Sequence, residues 1–177
     1  AAVAGILAGL PEAQSVLAGS IVSGLRLRPG NWAGAYACWG AENREAAVRF
    51  LPATGGNPRG ANVEVKIVDP SANPYFATAA ILGLALDGIQ NAAALPPDAT
   101  VDPAVLTDAH RGAAGVRLLP SEQSTTIAAL DHSVQLRRIL GDPAVDALVA
   151  VRRWELDHYA DLPPEELTDR FRMAWSV

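Results

Sequence analysis

The chain has a single cysteine, Cys38, and a single lysine, Lys66, among its 177 residues. One thiol excludes an internal disulfide and points to a reducing, cytoplasmic compartment. Cys38 falls inside a predicted strand, where a small core side chain is its simplest role. Basic residues number 14 against 19 acidic ones, for a net charge of −5. That shortage of positive charge argues against a nucleic-acid or anionic-membrane surface. Every basic residue except Lys66 is an arginine. No apolar run approaches the ~18 residues needed to span a bilayer. The apolar opening has no basic segment before it and continues as helix, so a signal peptide is not expected. His110, His132 and His158 stand in no metal-ligand spacing and read as surface or packing residues.

What is present divides into strands first and helices later. Residues 1–18 read as one or two alanine-rich helices interrupted near Pro11. Residues 25–32 form a loop with Pro29-Gly30 as its turn signal. Residues 35–40, 46–51 and 62–68 read as strands, and the loop 53–60 is rich in turn residues. A helix over 74–93 is predicted to be the longest, and its apolar circumference predicts burial. Residues 95–120, rich in Pro and Asp, read as irregular. Helices follow at 121–130, 143–159 and 164–175, each opened by a capping or proline signal. Trp39, Trp154 and Trp175 read as core or interface aromatics. Length alone indicates one domain. The fold class is α+β, with antiparallel strands packed against helices and a helical tail.

The most informative stretch is Val63-Glu64-Val65-Lys66-Ile67-Val68-Asp69-Pro70, followed by Ser71-Ala72-Asn73-Pro74-Tyr75. Alternation on the strand puts Glu64 and Lys66 on one face, and Val63, Val65 and Ile67 on the other. Asn73 is placed to cap the next helix with Pro74 at its first position, and Asp69 to fix the turn. Upstream lie Asn43-Arg44 and Arg49. Arginines offer permanent, bidentate contacts to carboxylate and phosphoryl oxygens, and a carboxylate is a hard ligand for a divalent metal. Such a face is suited to a metal-bound phosphate.

Together these segments resemble the glutamine synthetase family. The family pattern is an Asn-Arg pair, a second arginine five residues on, then a Glu-Val-Arg strand running into Asp-Pro-x-Ala-Asn-Pro-Tyr. The likeness extends back through Arg26-Leu27-Arg28-Pro29-Gly30 and forward through Leu86-Asp87-Gly88-Ile89, so its strong part covers residues 23–90. The resemblance implies that residues 1–177 are the C-terminal part of a larger catalytic domain. An N-terminal β-grasp domain and the first half of the catalytic domain would then be absent.

What it implies further is a ligase that makes γ-glutamyl phosphate from glutamate and ATP, with Mg²⁺ or Mn²⁺ bridging the phosphates. Ammonia or a larger amine then displaces the phosphate. By position, Glu64 matches the metal-binding glutamate and Arg26 the arginine that contacts glutamate. Arg44 matches an arginine of the phosphoryl-transfer site, and Lys66 a substrate-binding arginine. Arg49 and Arg59 match basic positions at the nucleotide end. Family members are ring-shaped homo-oligomers with active sites between subunits, so the isolated chain is expected to be inactive and prone to self-association through its open sheet.

Three positions depart from the pattern. Lys66 keeps the charge of the family's arginine but loses its bidentate fork. Asn62 replaces an arginine, removing a phosphate contact. At the flap position after Pro29-Gly30, where ammonia-using members carry a glutamate, stands Trp32. Tryptophan takes no proton but offers a π face to an organic cation. The departure points to a polyamine or aminoalcohol as acceptor. The alternative is a non-catalytic homologue with a scaffolding role, its site eroded at Asn62, Lys66 and Trp32. Retention of Glu64, Arg26, Arg44 and Arg49 together counts against it.

Overall fold

The computed structural model describes residues 1–174, so Trp175 and the expected end of the last helix lie outside them. By its contacts the chain divides into two units. The first comprises Ala1–Leu10, Leu27–Ile67 and Leu82–Leu119, and the second Pro11–Arg26, Val68–Ile81 and the chain from Pro120 onward. Two long helices, α1 (Ala2–Leu17) and α3 (Pro74–Gln90), contribute residues to both. Helix α1 is one helix rather than two, because it runs unbroken through Pro11. A proline in a helix interior costs about 3 kcal/mol. Burial outweighs that cost on either side of it: Leu10, Ala13 and Leu17 are all fully buried.

The first unit is built on a four-stranded sheet of order β3-β2-β1-β4. Its strands are β1 (Tyr36–Ala41), β2 (Ala46–Leu51), β3 (Asn62–Val65) and β4 (Arg117–Leu118). Strands β2 and β3 pair antiparallel, as do β1 and β4, but β1 and β2 pair parallel, so the sheet is mixed. Parallel neighbours normally need a crossover of a dozen or more residues. Here the chain reverses at Glu42, with φ 55, and the next residues run straight back beside β1. Gly40 makes room for that return, since a Cβ there would lie 2.6 Å from the Cβ of Asn43.

Small side chains fill the sheet's core: Ala35, Cys38 and Ala46 with Tyr36 and Val116. The region 95–120 is more ordered than its composition predicts. It holds a 3₁₀ turn (Pro103–Val105), helix α4 (Asp108–Ala113) and β4. Trp39 Nε1 donates to the Pro96 carbonyl at 2.7 Å, and Asn43 Nδ2 to those of Ala99 and Val101 at 2.7 and 3.0 Å. Side-chain bonds thus fix backbone groups that no ladder satisfies. The residues of α1 and α3 in this unit approach backbone to backbone, where Gly5 faces Gly88.

The second unit is helical. It contains α2 (Ser23–Arg26), α5 (Gln123–Asp131), α6 (Val134–Leu140), α7 (Asp142–Tyr159) and α8 (Pro164–Phe171). Leu130, Leu136 and Val145 are fully buried, with Val149 and Leu167 nearly so. Ser15 Oγ donates to Thr126 Oγ1 at 3.0 Å inside this core. Helix α6 was not expected; Ser133 caps it by accepting the Leu136 N–H at 3.0 Å. At 18 residues α7 is the longest helix, one residue longer than α3. Nor is α3 buried all round. Ala77, Ala80 and Leu84 are covered, but Leu82, Leu86 and Ile89 are more than half exposed. Trp154 is likewise 52% exposed and stacks on His158 at 4.1 Å, so it is a surface aromatic.

Candidate functional site

Cross-strand register builds the charged face of the first unit. Arg49 of β2 and Glu64 of β3 are direct partners in the antiparallel ladder. Partners in such a ladder point to the same face with Cβ atoms about 5 Å apart. Arg49 Nη1 accordingly reaches Glu64 Oε2 at 3.4 Å. The strand ends at Val65, three residues earlier than expected, yet Lys66 still donates its N–H to the Ala47 carbonyl at 2.9 Å. That bond keeps the alternation, and Lys66 Nζ lies 3.7 Å from Glu64 Oε1. The expected acid and base on one face are therefore present. The opposite face is only partly core: Ile67 is fully buried, whereas Val63 is 42% exposed.

Arg49 and Lys66 are held with side-chain exposures of 17% and 12%, while Glu64 between them is 43% exposed. Arg49 Nε is buried and has no hydrogen-bond partner. The result is a row of two sheltered cations sharing one accessible carboxylate. Such a row is able to receive a phosphoryl or carboxylate oxygen on the cations and a divalent ion on the carboxylate.

The other predicted residues are placed differently. Arg44 is not on a strand with Arg49; it lies on the β1–β2 return, exposed, its guanidinium 5.7 Å over the Trp32 ring. Trp32 is 64% exposed and has φ 51, a backbone rarely adopted by a bulky residue. Arg59 is exposed in the loop between β2 and β3, and no ion pair among the described residues involves it. Asn62, at the head of β3, turns its Nδ2 to the Gly60 carbonyl at 2.9 Å.

Arg26 belongs to the second unit, where it closes α2. It lines a cavity of about 230 Å³ with Val22, Ser23, Asp69, Pro70 and Ser71. Asp69 organises that turn: its carboxylate accepts the Ser23 and Ser71 hydroxyls and, at 3.0 Å, the Ser71 N–H. Asn73 Oδ1 accepts the N–H groups of Tyr75 and Phe76 at 3.0 and 3.3 Å, the predicted cap of α3.

One acidic residue escaped the sequence reading. Glu45 is buried to 4% exposure and its Oε1 accepts the Trp32 N–H at 3.0 Å. The signal was its position directly after Asn43-Arg44; a carboxylate there looks solvated until the return is folded. Burial also governs the sheet's other ionisable groups. It pushes the Cys38 thiol up to about 11 and raises the Tyr36 phenol against the opposing charge of Arg111. Among the described residues no three His, Cys, Asp or Glu side chains gather into a metal site. Glu64 thus fits a divalent ion as one ligand, with the others required from elsewhere.

Comparison with known proteins gives one consistent relationship. The family model described as glutamine synthetase, catalytic domain, matches residues 1–170. A gamma-glutamylpolyamine synthetase from Streptomyces coelicolor is 43% identical over 98% of this chain, which corresponds to 37% of that protein. A glutamine synthetase from Staphylococcus epidermidis is 34% identical over 76% of the chain and 29% of its own length. Among solved structures, a novel glutamine synthase homolog superimposes with a TM-score of 0.81 at 30% identity. It is matched over 98% of this chain and 38% of its own. A second, described as a GmaS/ADP complex, gives 0.75 at 25% identity, over 96% of this chain and 38% of its own. The chain spans under two-fifths of the length of these relatives.

Proposed function

The chain belongs to the glutamine synthetase family, and from that membership we propose that it is the C-terminal section of a glutamate–amine ligase. The ligase forms a γ-glutamyl amide through γ-glutamyl phosphate, using glutamate, ATP and an amine. The observation that carries this reading is the row Arg49–Glu64–Lys66, set by ladder register and the Lys66 N–H bond. Phosphoryl transfer asks the protein for positioning and charge neutralisation rather than covalent chemistry, and sheltered cations around one carboxylate supply both.

In this reading Arg49 and Arg59 take nucleotide phosphate oxygens, and Arg44 neutralises the transferring phosphoryl group. Lys66 holds the glutamate substrate, and Arg26 is a substrate-binding position by the family pattern. Lys66 acts as a point charge, so its contact orients less strictly than an arginine fork. Glu64 supplies one ligand to Mg²⁺ or Mn²⁺, and the remaining ligands come from residues outside those described. A divalent ion held there would neutralise phosphate charge. Arg49 and Lys66 hold the Glu64 carboxylate in place, at 3.4 and 3.7 Å, beside the oxygens they would receive.

The acceptor is an organic amine rather than ammonia. Two facts support this: Trp32 stands where the flap acid is expected, and a relative at 43% identity is named for polyamine ligation. The assembled enzyme is a ring-shaped homo-oligomer in the cytoplasm. No described helix is long and apolar enough to cross a membrane. The test is phosphate release from Mg·ATP by the protein containing this section, with glutamate and a panel of ammonium, putrescine and ethanolamine. Release that depends on glutamate and on an organic amine is expected. No affinity for Mg·ATP would sink the ligase reading and leave a scaffolding homologue. The 177-residue chain alone is expected to release no phosphate, and release by it would overturn its reading as an incomplete section.

A further inference from the structure

The loop that carries Trp32 contains no acid between Arg26 and Gly40, yet the fold brings one to it. Glu45 is the last residue before β2. It reaches across the return so that its Oε1 accepts the Trp32 N–H at 3.0 Å. The side chain is 4% exposed, and its second oxygen, Oε2, is buried without a hydrogen-bond partner. Its backbone N–H is separately satisfied by Asn43 Oδ1 at 3.0 Å. A buried carboxylate with one empty oxygen is costly, and the least costly partner for it is a cation.

The surroundings indicate which kind. Trp32 meets this carboxylate through its backbone N–H, and the residue as a whole is 64% exposed. An aromatic side chain on the residue whose backbone a carboxylate holds supplies the two elements that recognise an organic ammonium ion, ring quadrupole and charge. Arg44 is the charged neighbour that competes, since its guanidinium already lies 5.7 Å over the same ring. For an ammonium group to reach the buried Oε2 the backbone around Glu45 must open, and the Trp32 turn bonded to Oε1 is one segment that can yield. Trp32 holds a left-handed backbone with φ 51, so that segment is a strained one.

We propose that Glu45 is the anionic half of a subsite for a protonated primary amine, with Trp32 as its aromatic half. The inference rests on the ligase reading and deepens it: the carboxylate missing from the loop is supplied from the neighbouring β1–β2 return. Ammonia-sized and alkyl acceptors would share the carboxylate, while only alkyl acceptors use the ring.

The experiment is an NMR titration of the protein containing this section with n-butylammonium, using butan-1-ol as the uncharged comparison. It follows the Trp32 amide and indole signals. Saturable shifts of both with butylammonium, and none with butan-1-ol, are expected. Glu45→Gln keeps an oxygen to accept the Trp32 N–H, so the free-state amide signal stays while butylammonium affinity falls at least about tenfold. Glu45→Ala loses the amide position as well. Equal affinity in Glu45→Gln, an equal response to butan-1-ol, or no response to butylammonium in the wild-type protein would each overturn the proposal. The wild-type comparison decides even if a variant fails to fold. Neither ATP nor glutamate is present, so failure here leaves the ligase reading standing, and failed ATP binding leaves the ammonium subsite standing.

Discussion

Two glycines with nearly the same backbone separate conformational cost from crowding. Gly30 and Gly34 both adopt left-handed backbones, with φ 82 and 78. A Cβ at Gly30 would meet nothing within 4 Å. At Gly34 it would lie 2.9 Å from Ala47 Cα, 3.0 Å from Lys66 Cβ and 3.3 Å from the Ala46 carbonyl oxygen. Either Gly→Ala change pays about 1–2 kcal/mol for a left-handed alanine and recovers about 0.4–1 kcal/mol from the stiffer unfolded chain. Only Gly34→Ala must also push strand β2 and Lys66 aside, an overpacking cost of about 1–3 kcal/mol. The difference between the variants is therefore the packing term alone. In a chain of this length 1 kcal/mol moves Tm by about 2–4 °C. Gly34→Ala should melt about 2–12 °C below Gly30→Ala when followed side by side by circular dichroism. Equal melting temperatures would show that Gly34 does not hold Lys66 against β2, and would refute the packing of the row described above.

Three further outcomes follow from the same coordinates. Gly88→Ala would put a Cβ 2.4 Å from the Ala1 carbonyl and 2.7 Å from Gly5 Cα, while Gly112→Ala in α4 meets open space. Denaturant melts should show the first destabilised by about 1–2 kcal/mol, net of helix propensity, and the second stabilised by about 0.5–1 kcal/mol. Bonds from Arg153 and Arg137 hold the Asp131 carboxyl below its usual range. Its contribution is then fully present above the unfolded value of about 4 and is lost as pH falls through the lower folded value. Asp131→Asn should flatten the acid limb of stability below about pH 4, measured by denaturant melts; an unchanged limb would contradict the pairing. Cys38, with its thiol pushed up to about 11 by burial, should resist a thiol-specific disulfide reagent at neutral pH until the chain unfolds. Modification of the folded protein at the rate of an exposed cysteine would contradict that burial.

Features set by neighbours in sequence were legible without the structure. Asn73-Pro74 announced the start of α3, because the cap needs only its own oxygen and the two following N–H groups. Glu64 and Lys66 shared a face because alternation survives even where the strand itself stops at Val65. The resemblance read from residues 23–90 extends as a family match across 1–170. Long-range features were not legible. Side-chain alternation is identical for parallel and antiparallel partners, so nothing local revealed the parallel pairing of β1 with β2. The apolar circumference of α3 predicted burial, but Leu82, Leu86 and Ile89 are more than half exposed in the described chain. Helix α6 was passed over because Ser133 was not read as its cap. Glu45 was missed for a related reason: its burial depends on the return beside β1, which sequence alone does not place.

The central proposal is that Arg49, Glu64 and Lys66 form one row of a ligase site, with Glu64 as the metal ligand between a nucleotide-binding and a substrate-binding cation. The direct measurement is the Mg²⁺ dependence of glutamate- and amine-driven phosphate release by Glu64→Gln, in the protein containing this section. Glutamine keeps the shape but loses the charge and the hard anionic ligand. The Mg²⁺ concentration for half-maximal rate should rise by about tenfold or more, while stability changes by no more than about 1 kcal/mol, as befits a 43% exposed ion pair. An unchanged Mg²⁺ dependence with full activity would show Glu64 to be only a counter-ion for Arg49 and Lys66.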